Sequence, residues 1–227
     1  MIEDNLEVQL VRFIELGQQI IALDRQAELG RDFSRVAVQP PSVGVAQPGF
    51  MGAEYKGLVI LGRNPGTGDN RPSRYGFESK LAEWHRALEK WRDLGSLQAY
   101  MSAFDCWMGD LKEWRVWSMY VEPILDRLQI DPSNIAYLNL FQSPTIANTR
   151  PTPRMFRIGW TWTKRQLDIL APKAVIAGGK DVGAQLRAQW SKPSCEILVQ
   201  DRNRSLNTQA RLAWMNATAM RVGDLLA

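Results

Sequence analysis

Leu58-Val59-Ile60-Leu61 is a run of four large aliphatic residues with a glycine on either side, Gly57 and Gly62. So short and uniformly apolar a run reads as a strand buried on both faces, as in parallel sheets. Parallel strands need crossover connections, so this one stretch pushes the whole chain toward alternating strands and helices. The run stops at Gly62-Arg63-Asn64-Pro65-Gly66. Two glycines and a proline in five residues make a tight turn at the strand's carboxyl end, where open α/β sheets bind their ligands. Asn64 is the polar side chain the turn presents. Phe77, thirteen residues on, is close enough to fold back as an aromatic wall. Taken alone, the same residues also suit a plain strand-to-loop turn in which Asn64 tolerates an unusual φ.

Phosphate-cradling loops do not fit here. The G-x-x-x-x-G-K-[ST] spacing is absent, and so is G-x-G-x-x-G, which removes the common nucleoside triphosphate and dinucleotide motifs.

Along the chain, Leu6, Leu10, Phe13, Ile14, Ile20 and Leu23 recur at helical spacing over 5–29, and Gly30 is a suitable stop. Residues 31–55, with Pro40, Pro41, Pro48 and several glycines, read as an irregular segment packed with that helix. After the strand at 57–62, residues 78–94 are helical, with Leu81, Trp84, Leu88 and Trp91 on one face and His85 one residue from it. Residues 97–128 continue as one or two helices in which Trp107, Trp114 and Trp117 form a core stripe. Residues 134–140 (NIAYLNL) are a second buried strand ending in Asn139 and followed by Phe141-Gln142-Ser143-Pro144. Thr152-Pro153 reads as an N-cap with proline at the first helical position, for a helix running to Pro172. Strands at 174–177 and 196–200, helices over 181–190 and 206–226, and a polar loop at 201–205 complete the chain. This alternation predicts a three-layer α/β/α sandwich around a four-stranded, mostly parallel sheet, with residues 1–227 as a single domain. Three strand ends then share one edge: Asn64, Asn139 and the segment from Gln200 to Arg204.

Composition narrows the chemistry. Cys106 and Cys195 are the only cysteines and His85 the only histidine. A disulfide framework, a four-cysteine metal site and an iron–sulfur cluster are therefore excluded, and a triad or histidine-ligated metal would have to use His85. We expect no metal and no cofactor. With no apolar run approaching a membrane span and no signal-like opening, the expected location is cytoplasmic. A net charge of +4 mildly favours an anionic partner. Nine tryptophans point to a large aromatic core or an exposed stacking surface.

The order of these motifs resembles the uracil-DNA glycosylase superfamily, in particular its single-strand-selective and mismatch-specific branch. Gly62, Asn64, Pro65 and Gly66 match the family's G-x-N-P-G turn, and the resemblance runs over about residues 56–215. It implies that Phe77, or Tyr75 in its place, stacks on a flipped base, and that Asn139 reads that base's edge. The family's His-Pro-Ser-type loop falls at Gln200-Asp201-Arg202-Asn203-Arg204-Ser205, which has neither the histidine nor the proline.

The chemistry explains these residue types. A base inside a stack must be extruded into a pocket, read on its Watson–Crick edge and held against an aromatic ring. An asparagine amide at position 139 offers the acceptor and donor that complement uracil N3–H and O4. Asn64 is no strong base, but its amide can orient a water below the sugar. The departing anionic base needs stabilisation, for which Gln200, Arg202 and Asn203 are the candidates. Arg150, Arg154, Arg202, Arg204 and Arg211 are the candidate phosphate contacts, beside Arg157, Lys164 and Arg165. Leu206 is either a wedge filling the vacated stack or the first core residue of the last helix. The expected activity is metal-independent base excision on single-stranded or lesion-containing duplex DNA. The alternatives are a non-catalytic binder of such DNA and an α/β protein acting on a free nucleoside or nucleotide.

Overall fold

The computed structural model describes residues 6–36, 46–65, 77–111, 117–146, 149–190, 192–200 and 208–227, with backbone only for 77–82 and 110–111. The strands are β1 (Phe50–Met51), β2 (Leu58–Gly62), β3 (Ile135–Asn139), β4 (Ala174–Ala177) and β5 (Glu196–Val199). They form one sheet in the order β1-β3-β2-β4-β5, with β1 antiparallel to β3 and every other pairing parallel. The sheet thus has five strands where the sequence pattern predicts four. The addition is the two-residue β1, inside the stretch read as irregular. Tyr100 holds it: its hydroxyl donates to the Met51 carbonyl and accepts from the Met51 N–H.

The helices are α1 (Leu6–Ile21), α2 (Arg25–Leu29), α3 (Phe77–Leu94), α4 (Leu97–Leu111), α5 (Glu122–Leu128), α6 (Pro153–Leu170), α7 (Lys180–Gln189) and α8 (Thr208–Leu226). A π-helical turn, Trp117–Val121, leads into α5. The single N-terminal helix expected over 5–29 is broken in two. Asp24 has extended backbone, and its carboxylate accepts from the Ala27 N–H, which starts α2 afresh. Thr152 caps α6 as expected, accepting from Met155 N–H with Pro153 next in line.

Register sorts the helices into two layers. Ile60 pairs with Tyr137 and Ile176, so these three project to one face, where Tyr120, Val121 and Ile124 cover them. Trp107 of α4 also meets Tyr137 there, with ring centroids 5.4 Å apart. The opposite face carries α6, whose Thr163 hydroxyl donates to the Asn139 carbonyl, and α7, whose Gly183 lies against Val199. The chain is an α/β/α sandwich with strands β2 and β4 fully buried.

Six of the nine tryptophans build core, and Trp114 of the expected stripe lies outside the described residues. Trp84, Trp91, Trp107, Trp117, Trp160 and Trp190 are all buried. Phe50 lies within about 6 Å of the rings of Trp84, Trp91, Tyr100, Phe104 and Trp107. His85 is also buried, and desolvation lowers its pKa against the opposing charge of Glu89. No described helix is long and apolar enough to cross a membrane.

Candidate functional site at the carboxyl edge of the sheet

α4 and α5, which follow β2 in sequence, cover one face of the sheet, and α6, which follows β3, covers the other. Connections that depart to opposite faces open a crevice between the two strand ends, the general ligand position in such sheets. The residues paired at that point are Gly62 and Asn139.

Gly62 is needed there for space. A Cβ on it would stand 2.5 Å from Asn139 Oδ1 and 3.0 Å from the Tyr137 hydroxyl oxygen. The missing side chain is the room into which Asn139 leans. Asn139 is 6% exposed, and its Oδ1 is buried with no hydrogen-bond partner. Such an orphan acceptor costs about 1–3 kcal/mol of desolvation, so its retention calls for an explanation.

The backbone of the same residue is firmly held. The Asn139 carbonyl accepts from Gln142 Nε2 at 3.0 Å and from the Thr163 hydroxyl at 2.8 Å. Gln142 Nε2 also reaches the Thr163 hydroxyl and the Gly159 carbonyl. Arg25, 3% exposed, donates to Gln142 Oε1 and pairs with Glu28. Desolvation lowers its pKa, with Glu28 opposing. Gly159 makes this approach possible: a Cβ there would meet the Leu140 carbonyl oxygen at 2.3 Å.

Asn64 follows β2 by two residues and is half-buried. Its Nδ2 donates to the Pro65 carbonyl at 3.0 Å and to Thr145 Oγ1 at 3.3 Å. Thr145 in turn donates to the Thr149 carbonyl and pairs with Val36 in an isolated bridge. The amide nitrogen is thereby committed, which turns the carbonyl oxygen of Asn64 into the acceptor available to a water.

A cleft of about 10 Å³ lies over this edge, lined by Gly62, Tyr120, Tyr137, Gly178 and Gln200 among others. That is room for roughly one water molecule. Gln200 is buried, and its N–H is fixed by the Ala177 carbonyl. His85, on α3, does not line the cleft.

The other sequence candidates divide clearly. Asn64, Pro65, Gly62, Asn139 and Gln200 meet at one edge. Gly66, Tyr75, Arg202, Asn203, Arg204 and Leu206 lie outside the described residues, and so does the side chain of Phe77, whose backbone opens α3. Arg154 is engaged internally: its guanidinium donates to the Leu29 and Glu28 carbonyls and to Asp32. These bonds tie α6 to the α2 region, while the side chain stays 43% exposed. Arg165 bonds Gln19 and lies over the Trp162 ring. Arg211, in the first turn of α8, has a buried Nε without a partner. Arg150 is exposed beside Asp181.

The sequence reading missed Tyr137, Tyr120, Thr145 and the Arg63–Asp181 pair, whose Arg63 Nε donates to Asp181 Oδ2 at 2.8 Å. Only Tyr137 carried a signal, sharing the alternation of Asn139 two residues on. Among the described residues, no group of three or more His, Cys, Asp or Glu is placed to hold a metal ion. No protein-family model matches the chain, and no curated protein matches it.

Proposed function

We propose that the chain is a DNA base-excision glycosylase of the uracil-DNA glycosylase type, hydrolysing the N-glycosidic bond of uracil or a related base after flipping it from the stack. The observation that carries this reading is the buried, partnerless Oδ1 of Asn139 beside the gap left by Gly62. A pyrimidine edge with an N–H donor satisfies that oxygen. In the same reading Asn64 Oδ1 orients the attacking water and Phe77 supplies the stacking ring. Gln200, with Arg202 and Asn203 following it, donates to the departing base in place of the family's histidine. A space suited to one water does not admit a pyrimidine, so base capture requires Tyr120 and its π-helical turn to move aside.

That narrow cleft favours a second reading, a non-catalytic binder of single-stranded or damaged DNA. Base release separates the two. End-labelled oligonucleotides carrying one uracil, single-stranded and paired, are incubated with the protein and cleaved with alkali at abasic sites. Glycosylase activity predicts cleavage at the uracil that falls by at least about a hundredfold in Asn64→Ala, because the water loses its orientation. Salt-sensitive binding without any cleavage assigns the binder instead. Indifference to DNA overturns both.

A further inference from the structure

Asp181 is the point at which three loops of the carboxyl edge converge. It stands in the first turn of α7, where its Oδ1 accepts the Val182 N–H at 3.0 Å. Its Oδ2 accepts Arg63 Nε at 2.8 Å, from the loop after β2. The same oxygen lies 3.6 Å from Arg150 Nε, in the loop between β3 and α6. One carboxylate oxygen thus holds two guanidinium groups by their inner edges. Among the described residues, the Nη atoms of both arginines make no hydrogen bond. Exposure follows the same order: the Asp181 side chain is 20% exposed, Arg63 39% and Arg150 65%.

Stability does not account for the arrangement. Ion pairs this open to solvent contribute little, and gathering two cations on one oxygen adds repulsion. Two positive charges against one negative leave a single positive charge, which matches the single negative charge of a phosphodiester. Guanidinium forks whose Nη donors face outward suit the planar, bidentate recognition of phosphate oxygens. The place is also specific. Arg63 directly precedes Asn64, and its carbonyl is fixed by the Phe141 N–H at 3.0 Å.

We propose that Arg63 and Arg150, aligned by Asp181, clamp one backbone phosphodiester of single-stranded DNA beside Asn64; the site rests on the DNA-directed reading above. Asp181 is a positioning residue here and touches no DNA.

The test measures binding of a uracil-containing single-stranded oligonucleotide by fluorescence anisotropy over a salt series, with thermal melts of every variant and base release read on the same samples. The Arg63→Gln/Arg150→Gln double variant should lose affinity about tenfold at low salt, and the slope of log affinity against log salt should shrink by about 0.7, one phosphate's worth. Arg63→Lys keeps the charge but not the fork, and should lose most of what Arg63→Gln loses. Asp181→Asn decides the matter. Its Oδ1 still serves the Val182 N–H, so the first turn of α7 keeps that bond. Removing a negative charge should tighten DNA binding if charge alone matters; the clamp requires weaker binding. Tighter or unchanged binding by Asp181→Asn, or an unchanged salt slope in the double variant, overturns the clamp while leaving the DNA-directed reading in place. A wild-type protein that neither binds nor cleaves the oligonucleotide overturns both together.

Discussion

Asn134 and Asn139 stand at opposite ends of β3, and both are buried, at 4% and 6% exposure. Their side chains have opposite fates. Asn134 Nδ2 donates to the Glu54 carbonyl and to Glu54 Oε2, while its Oδ1 accepts the Asp131 N–H in a capping box. Asn139 Oδ1 has no partner. The surroundings follow the same division. At the amino end the backbone stitches itself shut, with Lys56 N–H on the Asn134 carbonyl and Lys173 and Ala174 N–H on the Gly57 carbonyl. At the carboxyl end stand a glycine-made gap, a water-sized cleft and the Arg63–Asp181–Arg150 cluster. An orphan polar atom alone does not mark a site. Gln166 has two in the α6 layer, and Tyr55 has one at the amino end. What sets Asn139 apart is an orphan acceptor with its backbone pinned, facing space that a single methyl group would close.

Truncating each asparagine tests that difference, and the largest effect belongs to Asn139. Asn139→Ala should lower base release by about a hundredfold or more, since a lost readout group leaves the base's polar edge unpaired. Its folding stability should hold or rise, by up to about 1–3 kcal/mol, because no bond to Oδ1 is lost and a desolvated orphan acceptor is removed. Asn134→Ala should do the reverse. Removing three bonds to the Glu54 and Asp131 groups should cost about 2 kcal/mol in urea unfolding and, on the proposed reading, leave base release by the folded protein intact. Equal destabilisation by the two substitutions would break the contrast, reducing Asn139 to another structural asparagine.

Much of this architecture is legible in the sequence. The aliphatic runs at 58–61 and 174–177 are strands because they are too short and too apolar to be surface helices. The glycine that ends the first places Asn64 at its carboxyl end, and Asn139, the last residue of β3, comes to the same edge. β1 was not legible, since two residues carry no period and their order comes from Tyr100, far along the chain. The helix break at Asp24 was hidden because Leu23 continues the apolar spacing; the break is marked by an Asx cap that only geometry shows. Arg63 and Asp181 are 118 residues apart, and nothing local couples them. Arg154 looked like its neighbours in sequence, yet its guanidinium bonds to the α2 region. Short-range pattern fixes where strands stop, whereas long-range pairing decides which charges remain free at the edge.

The two ends should also separate by pH, with smaller effects. At the carboxyl end, partial burial pushes the Asp181 carboxyl up, but the Arg63 hydrogen bond and charge, the Val182 N–H and Arg150 outweigh it and hold its pKa below the ordinary carboxylate value. The stability it contributes is therefore present above the unfolded carboxylate pKa near 3.8 and is lost as pH falls through the folded value. At the amino end, burial and then the charge of Glu196 push the Cys195 thiol from 9.0 up to about 11. An unfolded thiol ionises first, so this contribution is intact below pH 9.0 and disappears as pH rises toward about 11. Both groups are partly solvent-screened, so each limb should be worth less than about 1 kcal/mol. Asp181→Asn should flatten part of the acid limb of a stability–pH curve, where Asp168 also contributes, and leave the alkaline limb as it was. Cys195→Ser should flatten part of the alkaline limb, where the buried Tyr55 and Tyr100 hydroxyls also contribute, and leave the acid limb as it was. If either substitution moved both limbs, the ends of the sheet would be energetically coupled, and the division between a sealed amino end and an open carboxyl end would fail.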